Sequence, residues 1–215
     1  MSHDLVVIDY GAGNLSSVAK ALRWLGYQPL VTNEPGALVD ARSVILPGVG
    51  AAGQIMGALR SLELDEAIHD YIDSGRPFLG VCMGMQVLME RSDEDGGQDC
   101  LGVLEGKVRR LAGDSASGEA LKIPHMGWNT VRQVQAHAVW DGIPDESYFY
   151  FVHSYVVEPL DTSVAAGRTE YGDRFVSAVA RGNLFGTQFH PEKSGVWGLR
   201  LYRNFVEWAA GGAAA

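Results

Sequence analysis

Residues 76–91 read R-P-F-L-G-V-C-M-G-M-Q-V-L-M-E-R and join a predicted strand to a predicted helix. Phe78 to Val81 is a short apolar run after a proline, which is typical of a buried strand. Met83 to Arg91 has apolar residues at i, i+3 and i+4, which predicts a helix. The stretch therefore predicts a sharp strand-to-helix junction.

Cys82 lies at this junction between Gly80 and Gly84, in a G-x-C-x-G arrangement. This is the pattern of a nucleophile elbow with cysteine in place of serine, and the small flanking residues allow backbone segments to approach closely. The helix N-terminus that follows favours a thiolate. A cysteine among apolar residues is more often a small, inert core residue. The two glycines at an element junction favour the nucleophile here.

Length and composition indicate one globular domain spanning residues 1–215, with residues 211–215 as a frayed tail. The net charge is −9, and Arg109–Arg110 is the only adjacent basic pair, so a nucleic-acid partner is not expected. Two cysteines, Cys82 and Cys100, form neither a disulfide framework nor a zinc-finger pattern. The sequence shows no secretory signal and no apolar run of the ~18 residues that a membrane span needs. We expect a cytoplasmic protein.

The first half of the chain alternates strands with helices. A helix starts at Leu15 and ends at Gly26, a plausible C-cap, and further helices precede Gly75. The predicted strands before Cys82 are residues 5–8, 30–32, 44–46 and 78–81. This alternation predicts an α/β fold with a doubly wound, mostly parallel sheet.

The second half favours strands, which adds antiparallel strands to the predicted sheet. Arg181-Gly182-Asn183 has the composition of a hairpin turn, residues 112–120 read as a mobile surface loop, and residues 199–208 as a closing helix. The predicted strands are residues 108–111, 148–152, 164–168, 175–180 and 184–189.

His190 is the favoured general base among the six histidines. It follows an apolar run, Pro191 stops the ladder from continuing, and Glu192 is close enough in sequence to hold the imidazole in one tautomer. Cys82, His190 and Glu192 would then be nucleophile, base and orienting group. A surface histidine beside a surface glutamate is the alternative, and H-P-E alone decides nothing between them.

Gly48 to Gly53 formally matches the dinucleotide-binding pattern G-x-G-x-x-G, but no acidic residue clearly ends a following strand. We favour another use, in which the Gly50 N–H joins that of Met83 in an oxyanion hole for acyl chemistry. Gly48 and Gly50 also allow two orientations of the Val49–Gly50 peptide, which predicts a switchable hole. A metal site is not expected, because Cys82, His190 and Glu192 have no further paired ligands.

The combination of G-V-C-M-G-M-Q and F-H-P-E-K-S resembles the class I, triad-type glutamine amidotransferases. Within that class, D-Y-G-A-G-N-L-S-S, P-G-V-G, P-H-M-G-W-N and F-V-H-S-Y resemble the glutaminase subunits of imidazole glycerol phosphate synthases. The resemblance runs from Asp9 to Ser194. Met83 stands where that family would have leucine, which leaves the backbone N–H unchanged.

The resemblance implies that glutamine is hydrolysed through a γ-glutamyl thioester on Cys82, without a cofactor. It implies that ammonia passes through a tunnel to a (β/α)8-barrel cyclase subunit, in a heterodimer of histidine biosynthesis. Residues that match the glutamine pocket are Gln86, Glu94, His153, Ser154 and Tyr155. Residues that match positions near the partner interface are Asn14, Trp128, Tyr150 and Lys193, although Trp128 and Tyr150 could equally be core residues.

Three alternatives remain open at this stage. A free-standing cysteine hydrolase or peptidase on the same sheet would turn over without a partner. A non-catalytic binding subunit would not need the Cys82, His190 and Glu192 set. A glutaminase for another synthase, such as one making anthranilate or pyridoxal phosphate, is disfavoured by P-H-M-G-W-N and G-N-L-S-S.

Overall fold

The computed structural model describes residues 4–11, 15–113 and 120–211. The predicted loop 112–120 and the tail 211–215 fall largely outside these ranges. In the described parts, thirteen strands form one mixed sheet, and no helix is long and apolar enough to cross a membrane. The helices are α1 (Leu15–Trp24), α2 (Gly36–Val39), α3 (Ala52–Ser61), α4 (Leu64–Asp73), α5 (Met83–Gln86) and α6 (Gly195–Ala210).

The parallel half of the sheet contains the first four strands in the order β2-β1-β3-β4, followed by β13. Crossovers between parallel strands are right-handed. The chain moves from β1 to β2 in one direction along the sheet and from β3 to β4 in the other, so the helices of these two connections cover opposite faces. This confirms the predicted doubly wound α/β sheet. The strands are β1 (Val6–Ile8), β2 (Leu30–Thr32), β3 (Val44–Gly48), β4 (Phe78–Cys82) and β13 (Leu184–Thr187).

These strands are buried because helices cover both faces of a parallel sheet, which explains their continuous apolar runs. Every residue of β1, β3, β4 and β13 is buried. Gly26 ends α1 as predicted, with φ of +93°, and the Tyr27 N–H donates to the Leu22 carbonyl across the helix end. Because β3 and β4 are parallel neighbours, their carboxyl ends meet at one edge of the sheet, and Gly48 is in register with Cys82.

The other half of the sheet, antiparallel except for the parallel pair β5 and β7, continues beyond β13 through β12, β10, β7, β5 and β6, while β11, β8 and β9 branch from β12. The Arg181–Asn183 hairpin is confirmed, because β12 and β13 pair antiparallel around Gly182, which has φ of +56°. These strands are β5 (Met89–Ser92), β6 (Gln98–Asp99), β7 (Leu104–Arg110), β8 (His125–Gln133), β9 (Ser147–His153), β10 (Tyr155–Pro159), β11 (Ala165–Tyr171) and β12 (Asp173–Arg181).

The predicted helix from Met83 to Arg91 is wrong. Helix α5 ends at Gln86, and the chain enters β5 at Met89. The carbonyls of residues 87, 88 and 89 do not continue a helix; they accept hydrogen bonds from the N–H groups of residues 101, 104 and 102, respectively. The apolar spacing misled because residues 83–89 are buried on all sides, so their periodicity does not mark one face.

Two other elements, β7 and α6, begin earlier in the chain than the sequence predicted. Strand β7 begins at Leu104 rather than at residue 108, because it pairs with both β5 and β10. Strands β5, β6, β8 and β10 were not predicted. Helix α6 begins at Gly195, four residues early, and a Cβ on Gly198 would overlap the Pro191 carbonyl. The first turn of α6 thus packs tightly against the segment that follows His190.

Candidate active site

Cys82 is the last residue of β4 and immediately precedes α5. Its backbone has φ of +54° and ψ of −111°, which is unusual for a residue with a side chain. Its side chain is nearly buried, with 4% of the residue exposed. Strained backbone at such a turn is typical of functional sites, and this turn is the elbow that the sequence predicted.

The glycines around the elbow are required by close backbone approach. A Cβ on Gly80 would lie 2.6 Å from the Gly84 carbonyl oxygen, and one on Gly84 would overlap the Leu46 carbonyl. A Cβ on Gly48 would overlap the Gly84 nitrogen. Gly48, the first glycine of the apparent dinucleotide pattern, therefore serves to pack β3 against the turn at Cys82.

His190 follows β13, the parallel neighbour of β4, and is itself buried. Its Nδ1 lies 2.9 Å from Glu192 Oε1, and both side chains are at most 3% exposed. The Tyr202 hydroxyl donates to Glu192 Oε2 at 3.2 Å, which fixes the carboxylate from α6. Because the carboxylate oxygen accepts, Nδ1 carries the proton, and Nε2 is the nitrogen left for chemistry.

The electrostatic surroundings of His190 favour its protonated form. Burial lowers the pKa of His190, but the neighbouring Cys82 and Glu192 together raise it from 6.5 to about 10. Nε2 is buried and makes no aligned hydrogen bond within the described residues. Nε2 is therefore free to receive a proton, and the neighbouring Cys82 and Glu192 stabilise the ring once it is protonated.

The side chains of Cys82 and His190 line one cavity of about 300 Å³. Every residue predicted for the glutamine pocket and the oxyanion hole lines the same cavity. Glu192 does not line it and lies behind His190. The lining residues are Val49, Gly50, Cys82, Met83, Gln86, Glu94, Pro124, Val152, His153, Ser154, Tyr155, His190 and Lys193.

Gln86 is held in one orientation in the cavity wall. Its Nε2 donates to the Tyr155 carbonyl and to Gln188 Oε1, both at 2.9 Å. Gln188 in turn donates from Nε2 to Cys82 Sγ at 3.7 Å. Gln86 Oε1 is buried without a hydrogen-bond partner in the part of the chain that the structure describes. An orphaned acceptor in a cavity wall is suited to a ligand donor.

The loop after β3 is tied at two points. The Val49 N–H donates to the Tyr10 hydroxyl at 3.2 Å, and the Ala52 N–H, at the start of α3, donates to Glu94 Oε2 at 2.7 Å. Gly50 between them has φ of +96°, which glycine adopts at little cost. Met83 is the first residue of α5, so its N–H has no intrahelical acceptor. Gly50 and Met83, the two residues predicted for the oxyanion hole, both line the cavity with Cys82.

The predicted interface residues lie beside the cavity, apart from Asn14, which falls outside the described residues. Trp128 is 55% exposed, so it is not a core residue. Its ring packs edge-on against Tyr150, and Lys193 Nζ lies 5.8 Å from the Tyr150 ring centre. Met126 and Tyr148 lie nearby on β8 and β9 and are also exposed, which extends this surface.

Sequence reasoning missed three residues that hold the site in place: Tyr10, Gln188 and Tyr202. A signal existed for Gln188, a polar residue in an apolar strand two positions before His190. Tyr202 gave no signal, because its partner Glu192 is reached only when α6 folds back. Among the described residues, no group of three or more His, Cys, Asp and Glu side chains could hold a metal ion.

Solved structures of low sequence identity share this fold. One described as a glutamine amidotransferase has a TM-score of 0.73 at 23% identity, covering 95% of this chain and 98% of that chain. PurLQS from Thermotoga maritima has a TM-score of 0.71 at 19% identity, covering 97% of this chain and 99% of that chain. These likenesses confirm the fold alone.

Sequence comparison goes further. The glutamine amidotransferase class-I family profile matches residues 6–208. Imidazole glycerol phosphate synthase subunit HisH of Dehalococcoides mccartyi (strain CBDB1) is 46% identical over 96% of this chain and 98% of its own length. Subunit HisH of Herpetosiphon aurantiacus is 48% identical over 95% and 94%, and HisH 1 of Pseudomonas aeruginosa is 47% identical over 97% and 98%. The chain therefore belongs to the class I glutamine amidotransferases and, within them, to the family of the HisH subunits of imidazole glycerol phosphate synthase.

Proposed function

We propose that this chain hydrolyses glutamine to glutamate and ammonia as the glutaminase subunit of an imidazole glycerol phosphate synthase. The observation that carries the proposal is the position of Cys82. It lies at a strained elbow and in one cavity with His190, whose imidazole is fixed by Glu192. Nucleophile, base and orienting group are the parts that acyl transfer from an amide requires.

The first half-reaction forms a thioester. His190 Nε2 takes the thiol proton of Cys82, and the thiolate attacks the amide carbon of glutamine. The N–H groups of Met83 and Gly50 bind the oxyanion of the tetrahedral intermediate. The intermediate collapses as the C–N bond breaks, and the protonated His190 gives its proton to the leaving nitrogen, which departs as ammonia.

The second half-reaction restores the enzyme. Water attacks the γ-glutamyl thioester, His190 takes the proton of the water, and the C–S bond breaks to release glutamate and the Cys82 thiol. The His190 surroundings fit both steps, because Glu192 stabilises the imidazolium in each of them and the Cys82 thiolate adds to this in the first. Glu192 orients the ring and takes no proton itself.

The remaining lining residues supply recognition of the substrate. The glutamine ammonium group needs anionic and neutral acceptors, and the Glu94 carboxylate and the orphaned Gln86 Oε1 are both available in the wall. Ser154 and Tyr155 also line the wall, where the chain bends between β9 and β10, and backbone N–H groups there are suited to the α-carboxylate. Substrate specificity thus follows from charge recognition at the end remote from the scissile amide.

The ammonia produced is passed to a partner of the (β/α)8-barrel cyclase class. This partner combines the ammonia with a ribulosyl aminoimidazole carboxamide nucleotide, giving imidazole glycerol phosphate and an aminoimidazole carboxamide ribotide. The exposed face containing Met126, Trp128, Tyr148 and Tyr150, together with Lys193, supports a docking surface beside the cavity. Direct transfer is useful because ammonia free in water becomes ammonium, which is not a nucleophile. Both described cysteines are free, which fits a reducing cytoplasm.

Control resides in the loop between β3 and α3. The lone subunit hydrolyses glutamine slowly, because the Val49–Gly50 peptide can turn either an N–H or a carbonyl toward the oxyanion. Losing one oxyanion donor lowers the rate by roughly 10²–10³-fold. Binding of the cyclase ligand to the partner favours the productive orientation through differential contacts.

The experiment compares glutamine turnover by the lone chain, by the complex with its co-purified cyclase subunit, and by the complex with cyclase ligand. Rising turnover along this series supports the proposal. Equal turnover in all three states would indicate a free-standing hydrolase. A pull-down that retrieves a synthase other than a (β/α)8-barrel cyclase would assign the chain to another pathway.

A further inference from the structure

A chain of hydrogen bonds starts on β8 and reaches the cavity wall. Asn129 Nδ2 donates to the Glu170 carbonyl at 2.8 Å and lies 3.4 Å from His125 Nε2. His125 Nδ1 lies 3.0 Å from His153 Nε2, and His153 Nδ1 lies 2.9 Å from the Tyr155 carbonyl oxygen. The motif P-H-M-G-W-N, which contains His125 and Asn129, is thereby joined to the substrate site.

The Tyr155 carbonyl at one end of these hydrogen bonds and the Asn129 amide at the other determine which nitrogen of each imidazole carries the proton. The Tyr155 carbonyl can only accept, so His153 carries its proton on Nδ1 and accepts on Nε2 when neutral. His125 must then donate from Nδ1, which leaves its own Nε2 as an acceptor for the Asn129 amide. The Asn129 amide is oriented correctly for this, since its Oδ1 accepts the Thr130 N–H at 2.8 Å.

The surroundings hold both rings neutral and fixed in place. His125 is 3% exposed and His153 is 6% exposed. His125 stacks on Tyr171, with ring centres 4.0 Å apart, and on Phe151, with ring centres 4.9 Å apart. Burial lowers the pKa of His125 to about 4, and burial together with the neighbouring histidines lowers that of His153 to about 3. A proton on either acceptor nitrogen would break the chain.

We propose that His125 and Asn129 are positioning residues that lock the tautomer of His153 and so hold the Ser154–Tyr155 bend in its glutamine-binding position. The Tyr155 carbonyl is the point at which this relay meets the active site. It accepts from His153 Nδ1 and also from Gln86 Nε2, and Gln86 continues through Gln188 to Cys82 Sγ. This inference rests on the proposed glutaminase function for its kinetic consequence, but not for its structural one.

The structural consequence is tested without any activity. In the full chain labelled with ¹⁵N-histidine, long-range ¹H–¹⁵N correlation spectra report the tautomer of each imidazole. His125 and His153 are both expected as neutral Nδ1–H tautomers at pH 6, although free histidine favours the Nε2–H form. An Nε2–H tautomer at either position, or titration of either ring near pH 6.5, would overturn the relay.

The kinetic consequence is tested in the complex with the synthase partner. His125→Phe keeps a ring to stack on Phe151 and Tyr171 but removes the donor to His153. Leaving that buried acceptor unpaired is expected to raise KM for glutamine roughly tenfold, with kcat changed less than about threefold. Synthesis from added ammonium salt is expected to be unchanged, because that reaction bypasses the glutamine site.

The control is His137→Phe. His137 is also a partly buried histidine that burial holds below its ordinary pKa, and its Nδ1 accepts the Val139 N–H at 3.1 Å. It contacts Phe185 and Trp208 rather than the cavity. An equal rise in KM for this variant, or no rise for His125→Phe, would reject the positioning role. If the wild-type complex shows no glutaminase activity, the proposed function fails while the tautomer measurement still decides the relay.

Asn129→Asp provides a second variant in case His125→Phe folds poorly. An aspartate carboxylate cannot donate to His125 Nε2 and instead favours a proton there. His125 is then expected to become an imidazolium that titrates near neutral pH, and KM for glutamine is expected to rise as in His125→Phe. An unchanged neutral Nδ1–H tautomer of His125 in this variant would contradict the relay.

Discussion

The two cysteines occupy regions that differ in every feature that governs reactivity. Cys82 lies at a strained strand-to-helix turn, with an imidazole and an amide donor beside its sulfur. Cys100 lies in a loop after β6, where its sulfur interacts with the Gln98 carbonyl at 3.7 Å. Burial raises the pKa of the Cys100 thiol from 9.0 to about 11; Arg60 opposes this rise, and the Asp99 and Glu94 carboxylates add to it.

The contrast shows that the position of a cysteine in the fold, and not its burial alone, determines its chemistry. Cys82 is more buried than Cys100, yet it lies among groups that accept a proton and donate hydrogen bonds. Cys100 faces a carbonyl oxygen and nearby carboxylates, which oppose a thiolate. The two regions therefore predict one nucleophile and one inert thiol.

The largest expected effect comes from removing each thiol in turn. Cys82→Ala is expected to lower glutamine turnover by roughly 10⁴-fold or more, because the bond-forming atom is lost. Cys100→Ala is expected to change it less than about twofold. Turnover is measured in the complex with the partner. Synthesis from ammonium salt is the control and is expected to survive in both variants; its loss in Cys82→Ala would make Cys82 a structural residue.

A glutamine-like chloroketone sharpens the same comparison by labelling. It is expected to alkylate Cys82 at least about a hundredfold faster than Cys100, because reaction requires a thiolate and a bound substrate analogue. Peptide mass spectrometry after a time course measures both rates, and excess glutamine as competitor is expected to protect Cys82. Label found first on Cys100 would reverse the assignment.

Glu192→Gln tests the Glu192 carboxylate, which acts on Cys82 indirectly, through His190. The amide can still accept from His190 Nδ1, but a hydrogen bond to a charged group contributes about 1.5–3 kcal/mol and a neutral one about 1, so kcat is expected to fall roughly tenfold. Tyr202→Phe removes a neutral bond to the same carboxylate and is expected to cost less. A larger loss in Tyr202→Phe than in Glu192→Gln would indicate that α6 packing, not charge, supports His190.

Substitution of Gly84, two residues after Cys82, is expected to lower the stability of the fold rather than to change the chemistry. Gly84→Ala places a Cβ against the Leu46 carbonyl, and such overpacking costs about 1–3 kcal/mol of unfolding free energy. Gly57→Ala is the control, because Gly57 lies in α3 with open space around it and alanine favours a helix. Urea unfolding of both variants measures the difference. Equal stability would mean that the elbow tolerates a side chain.

The last prediction concerns pH. The pKa of His190 is raised from 6.5 to about 10, so its contribution to stability is fully present below pH 6.5 and is lost as pH rises through 10. Cys100 contributes similarly, but only from about pH 9 upward. Unfolding free energy is therefore expected to decline between pH 6.5 and 9, and His190→Asn is expected to remove that decline. A slope that persists in this variant would assign it to another group.

Much of the candidate site could be predicted because it depends on short-range patterns. G-x-C-x-G marks a turn in which backbone crowding excludes side chains, and the contacts that a Cβ would make at Gly80 and Gly84 explain why. H-P-E places the predicted base and its orienting carboxylate two residues apart, a spacing that permits the observed distance of 2.9 Å between them. The strand-helix alternation likewise predicted the parallel sheet, since buried parallel strands are continuous apolar runs.

What the sequence could not determine depends on segments that meet only after folding. Residues 83–89 are buried on every side, so only pairing with β7 and β6 decided that β5 is a strand and not the end of a helix. Tyr202 reaches Glu192, Gln188 reaches Cys82 and His125 reaches His153 across separations of 10, 106 and 28 residues. The sequence alone predicted the nucleophile, its base and the class of sheet, because local spacing sets backbone geometry. The tertiary structure alone decided which side chains hold them in place, because buried hydrogen bonds require partners that distant elements supply.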